Sequence, residues 1–176
     1  QFVIKNVKHR FFSAAGAGEQ TKNTYKMLRL QWSQMNQYYI INPLIHEYKL
    51  TEHSPLKPHK ADILGLPEIE MKRVDNTDDL LHFDFDRNSN ILPFKDMRYI
   101  ENRFFDYPFY SYDIFLVYKS NEQIAQNIVI CRKAIAKDEK GQDIASAYRI
   151  VDFYGSEDLL PSIIISLFER VKIQGD

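Results

Sequence analysis

The sequence predicts an α+β fold built on a mixed, mainly antiparallel sheet flanked by helices. Three runs carry that reading. Tyr112–Tyr118, Gln126–Arg132 and Ala147–Tyr154 are dominated by β-branched and aromatic residues, as a pleated, half-buried surface favours. The connections Lys119–Glu122 and Lys137–Asp143 are short and polar, and the second holds Gly141, which can take positive φ. Connections this short force antiparallel neighbours, because a parallel pair needs a crossover of roughly a dozen residues or more. Behind the third run, Gly155-Ser156 leads into an apolar stretch that reaches Val171. Ser156 is a natural N-cap there, Glu157 and Asp158 suit the positive end of a helix, and Pro161 falls near its first turn.

Taken in order, Gln1–Val7 reads as a short strand, and the small residues Ser13–Gly18 as a turn. That turn lacks the Lys-Ser/Thr ending of a nucleotide phosphate loop. Thr24, Tyr25 and Leu28 at helical spacing predict a helix over Thr21–Leu30. Gln37–Ile41 reads as a strand that Asn42-Pro43 ends. Between Pro43 and Pro67 fall four of the seven prolines and three of the five histidines, His46, His53 and His59. No Cys or carboxylate cluster accompanies those histidines, so the segment reads as a linker and no metal is expected. The expected organisation is therefore residues 1–50, a linker over 51–67, and residues 68–176.

Ile69–Val74 alternates as a strand, and Asp75-Asn-Thr77 offers caps for a helix over Asp78–Phe85. Asn88–Asn90 and Pro93 interrupt it, and a second helix is expected from Phe94 to Phe105, ending before Asp106-Tyr-Pro108. From Ile69 the order is strand, helix, helix, three antiparallel strands, helix.

Composition narrows the function classes. The 176 residues suffice for one ordinary core, and an apolar content of 44% marks a globular chain. A net charge of −1 with intermixed signs gives neither a nucleic-acid footprint nor a membrane-seeking surface. The single Cys131 excludes an internal disulfide and fits a reducing compartment. No apolar run approaches the ~18 residues of a spanning helix, and the start carries no signal-peptide pattern, so a cytoplasmic protein is expected. A chain that begins with Gln reads as a fragment or a processed product.

Three stretches carry a family resemblance. Tyr99–Pro108, with Tyr110 and Tyr112 beyond it, looks like the Trp-Arg-Tyr…His-Pro…Tyr stretch of GNAT-like proteins from bacterial surface-polysaccharide loci. Tyr148–Gly155 is similar to the fourth strand of those proteins, and the element order from Ile69 resembles the first two-thirds of the GNAT acyltransferase fold. Thr21–Leu30 followed by Gln37–Asn42 looks like the last helix and final strands of such a domain. The chain then holds the end of one GNAT-like domain, a linker, and the front of another. It reads either as a piece of a tandem protein or as a permuted domain in which Phe2–Val7 supplies the missing strand. Completion of the sheet by strand exchange in a homodimer stays open.

The resemblance implies an acyl-CoA, such as acetyl-CoA, entering beside the fourth strand. Its pantetheine would face Val151-Asp152-Phe153, and its pyrophosphate would sit over Tyr154–Asp158, with Gly155 and Ser156 in contact. The sequence departs from the family there, because Glu157 and Asp158 stand where small and basic residues are usual. Asp152, alternating with Val151 and Phe153, points to the opposite face and is the candidate general base, or else a solvated strand residue. Arg103 and Tyr107 are the candidate acceptor-binding residues, for an acidic sugar or a nucleotide phosphate; a helix-surface ion pair is the alternative for Arg103. Tyr99, Tyr107, Tyr110 and Tyr112 suggest either an aromatic wall for a sugar ring or a packed corner. His82 has no visible partner, Cys131 reads as inert packing, and no Ser–His–Asp or Cys–His arrangement stands out. Two functions follow: an acyl-CoA-dependent N-acyltransferase acting on an amino sugar or sugar nucleotide, or a non-catalytic GNAT-like binding module with a degenerate cofactor site. The expected partner is a small amine or sugar, with neither nucleic acid nor membrane.

Overall fold

The structure, a computed structural model, describes residues 19–31, 33, 40, 65–88, 90, 91 and 94–173. The chain divides into two compact units, Gln1–Tyr39 and Ile40–Asp176. In the first, helix α1 runs over Glu19–Met27, starting and ending earlier than its apolar spacing suggests. Arg29 takes a φ of 56°, and the amides of Arg29 and Leu30 donate to the carbonyls of Lys26 and Tyr25. This left-handed closure stops the helix without a glycine. The strands expected at Gln1–Val7 and Gln37–Ile41 (Ile40 apart), the Ser13–Gly18 turn, the 51–67 linker apart from its last three residues, and His46, His53 and His59 lie outside the described residues.

In the second unit, β1 (Ile69–Arg73), β2 (Asp113–Lys119), β3 (Asn127–Lys137) and β4 (Asp143–Gly155) form one sheet in that order. Every neighbouring pair is antiparallel. The α+β class holds. Among the described residues no parallel strand joins the sheet, and the parallel pairing they contain is the isolated bridge between Phe83 and Ala125.

Side-chain alternation divides the core into two layers. Ile114, Leu116, Ile128, Ile130 and Tyr154 pack on one face against Leu80, Phe83, Ile100 and Phe104. Phe115, Val117, Val129 and Cys131 pack on the other against Leu159, Ile163 and Leu167. Burial on both faces is why β2 and the first half of β3 read as nearly continuous apolar runs.

The helix expected over Asp78–Phe85 is a shorter 3₁₀ turn, Thr77–His82. The Asn76 side chain accepts from the amides of Asp78 and Asp79, and the Asp79 carboxylate accepts from the Asn76 amide. Phe83 then leaves in an extended conformation to bridge Ala125, which ends the turn. The helix expected over Phe94–Phe105 begins later. Asp96 caps α2 (Met97–Ile100), which continues as a π-helical turn over Glu101–Phe105. The β3–β4 hairpin runs further than its β-branched core, out to a tight turn in which Gly141 holds a φ of 80°. After β4, a 3₁₀ turn over Glu157–Leu159 opens α3 (Leu160–Ile173), with Ser156 as its cap. No described helix is long and apolar enough to cross a membrane.

Candidate functional site

The expected donor stretch lies where the β3–β4 ladder is irregular. Ile130 faces Asp152 but Cys131 faces Ile150, so Val151 is an extra residue on β4. A bulge of this kind leaves a residue out of the ladder, bends the strand and re-aims its side chains. Val151 is correspondingly exposed, while Phe153 is half-buried against the α3 layer.

Asp152 points to the opposite layer, as alternation suggests, but it is not a solvated residue. Its carboxylate closes an ion pair with the Lys95 ammonium and accepts from the Phe153 amide at 2.8 Å and the Tyr99 hydroxyl at 3.3 Å. Lys95 is only 7% exposed; it also donates to the Phe153 carbonyl at 3.0 Å and lies 5.6 Å from the Tyr154 ring. A lysine this deep needs a charge partner and hydrogen bonds, and Asp152 with the Phe153 carbonyl supplies the charge and two acceptors. Burial, then the Asp152 charge, raises the Tyr99 phenol above its ordinary value, with Arg103 opposing, so Tyr99 stays a neutral donor. Asp152 is thus shared among three donors. The arrangement pins the bulge to the start of α2 and leaves no free carboxylate there for a general base.

Gly155 and Ser156 meet at a close backbone approach. Gly155 has a φ of 130°, and a Cβ at that position would sit 2.3 Å from the Gln126 carbonyl. The buried Asn127 amide donates to the Ser156 carbonyl at 2.8 Å, while its Oδ1 has no partner among the described residues. Ser156 Oγ accepts from the Asp158 amide at 3.4 Å, and Glu157 and Asp158 are exposed at the helix start. The exposed Val151 lies on β4, the last strand in the order of the described sheet. The helix start does not fit a pyrophosphate, because its cap is filled and carries two carboxylates.

The aromatic corner is more open than a packed junction. Tyr107 and Tyr110 stack at 5.6 Å and 23°, Phe109 stands edge-on to Tyr107, and Phe109 is 76% exposed. Tyr112 links the corner inward to Phe104 at 5.1 Å. Arg103 lies against the rings of Tyr99 and Phe104, at 5.6 and 5.5 Å, and no carboxylate pairs with it among the described residues. Arg103 and Tyr107 therefore share one side of the unit with Asp152, joined through Tyr99, whereas Phe153 packs on the other.

On that other side Asp113 accepts from Arg73 at 2.8 Å and from the Tyr148 hydroxyl at 2.7 Å. Burial and then the bond to Asp113 push the Tyr148 phenol well up. Burial, with Asp113 second, pushes the neighbouring Cys131 thiol up to about 12, so it is packing and no nucleophile. His82 is exposed. Among the described residues no group of three or more His, Cys, Asp or Glu could hold a metal ion. Lys95 was invisible in the sequence: it sits in no motif, and its partner is 57 positions away.

No family model, curated protein or solved structure matches this chain.

Proposed function

We propose that the chain carries a GNAT-like scaffold for acyl-CoA-dependent N-acyl transfer to the amino group of a sugar or sugar nucleotide. The observation that carries this reading is the bulge at Val151, which opens the β4 backbone on the stretch where the resemblance puts the acyl donor. The aromatic corner supports the acceptor side: the exposed Tyr107 and Tyr110 rings suit a polar ring, and Arg103 joins them through Phe104 and Tyr112. The reaction would be attack of a neutral amine on the donor's thioester. In this reading Lys95 and Asp152 hold the bulge in shape, and the amine arrives already neutral, because Asp152 is occupied. Fold-level analogy supplies the reaction class.

A second reading, a non-catalytic GNAT-like binding module, is favoured by the helix start. Glu157 and Asp158 oppose the pyrophosphate end of an acyl-CoA. Calorimetric titration of acetyl-CoA and of CoA into the protein separates the two. Saturable binding that a Val151→Pro change abolishes supports the transferase. No heat with either compound leaves the binding module.

A further inference from the structure

The register of β3 and β4 sets two arginines directly opposite each other. Arg132 is the direct partner of Arg149, one pair beyond the Cys131–Ile150 pair that follows the bulge. Like charges directly opposite across an antiparallel ladder are disfavoured. Among the described residues no carboxylate pairs with either arginine. Arg149 is exposed, and Arg132 is half-buried with its guanidinium 4.2 Å from the centre of the Tyr110 ring. Tyr110 in turn stacks with Tyr107. One of the two cations thus lies on an exposed, preformed aromatic surface, and the other is its neighbour across the ladder. Stability does not explain the juxtaposition, whereas an anion set between the two forks would relieve it.

We propose that Arg132 and Arg149, with Tyr110 and Tyr107, form a binding site for an anionic sugar, one bearing a carboxylate or a phosphate. The guanidinium pair holds the anionic group and the tyrosine faces cover the ring. A polynucleotide fits less well, because the patch is small and the chain's net charge is −1, which gives no extended basic track. The inference rests on the proposed acyl transfer only in taking the sugar to be its acceptor; the site itself stands on the arginine pair.

Titration of the full 176-residue chain, followed by calorimetry and amide chemical shifts, tests it with five probes at equal ionic strength. These are glucosamine 6-phosphate, glucuronate, glucosamine, inorganic phosphate and a short single-stranded DNA. Binding of glucosamine 6-phosphate or glucuronate about tenfold or more tighter than glucosamine and phosphate supports the site; the tighter of the two identifies the anion. R132Q, at a half-buried position, and R149Q, at an exposed one, each checked for native circular dichroism, should each weaken that binding about tenfold, and R132K should restore it only partly because lysine lacks the fork. Equal binding of glucosamine, equal binding of phosphate, unchanged affinity in both variants, or tighter binding of the DNA overturns it. Acetyl-CoA binding by R132Q reports separately on the transferase: loss of sugar binding with acetyl-CoA binding intact supports the site, and sugar binding without any acetyl-CoA binding refutes the transferase alone.

Discussion

Lys95 and Asp152, 57 positions apart in the chain, close a buried ion pair that ties the residue before the α2 cap to the bulge of β4. Both side chains are largely out of water, at 9% and 15% exposure. Removing either partner alone strands the other charge, which typically costs about 3–5 kcal/mol, whereas replacing both with apolar groups is often close to neutral. K95M and D152A are each expected to lose that much in urea unfolding, and K95M/D152L to recover most of it. Additive losses in the double variant would show that the pair is not coupled.

Gly155 is fixed by two independent constraints. Its φ of 130° is rarely adopted by L-residues, and an added Cβ would meet the Gln126 carbonyl at 2.3 Å. Gly141 shares only the first constraint, with a φ of 80° and open space around a Cβ. G155A should therefore cost at least ~3 kcal/mol and G141A about 1–2 kcal/mol, because only backbone conformation is strained at the second site. Thermal or urea denaturation decides, and equal costs would mean that the β4–α3 junction moves freely.

How much of this was readable in the chain depends on the range of each contact. The strands announced themselves because Ile114–Val117 and Ile128–Cys131 are buried on both faces and so are apolar throughout. Ser156 and Asn76 announced helix starts because capping is a contact over two or three residues. The outer hairpin, Lys133–Lys137 against Asp143–Ala147, was under-read because it leaves the core and its small and charged residues lack the β-branched density of the inner part. Ala147–Tyr154 was placed correctly as a strand, yet its bulge and the Arg132–Arg149 pairing depend on a register that no local pattern encodes. Lys95 illustrates the same limit: a lone lysine reads as solvated until its distant partner is known.

Cys131 makes alkaline stability measurable. Its thiol has an ordinary value of 9.0 and is pushed up to about 12 in the fold, by burial first and the Asp113 charge second. A folded-state value above the unfolded one means the unfolded chain loses its proton first as pH rises. The contribution is complete below pH 9.0 and falls progressively up to about pH 12. Tyr148, raised in the same direction, adds to the loss above its ordinary 10.0. Stability should therefore decline from about pH 9 upward, and C131A should show a shallower decline between pH 9 and 10 on a lower baseline. Thiol reagents should leave the folded wild-type protein unmodified at neutral pH, and rapid modification would contradict the burial.

The helix start offers the sharpest separation between a transferase and a binding module. Glu157 and Asp158 lie in the first turn after Ser156, where they complement the helix dipole but repel any phosphate brought to the same amides. Neutralising both, in E157Q/D158N, removes that repulsion while keeping the side-chain shapes. Each exposed charge at a helix end is worth roughly 0.3–1 kcal/mol, so the pair corresponds to about a threefold to thirtyfold change in affinity for an anion. If the protein binds acyl-CoA over β4 and α3, the variant should bind CoA tighter by that factor, and the gain should shrink as salt is raised. Dephospho-CoA, which keeps the pyrophosphate, should show the same gain, while pantetheine, which lacks it, should show none. A variant that still gives no heat with CoA would remove charge as the obstacle and leave the chain as a binding module, whose anionic-sugar site at Arg132 and Arg149 is untouched by the change.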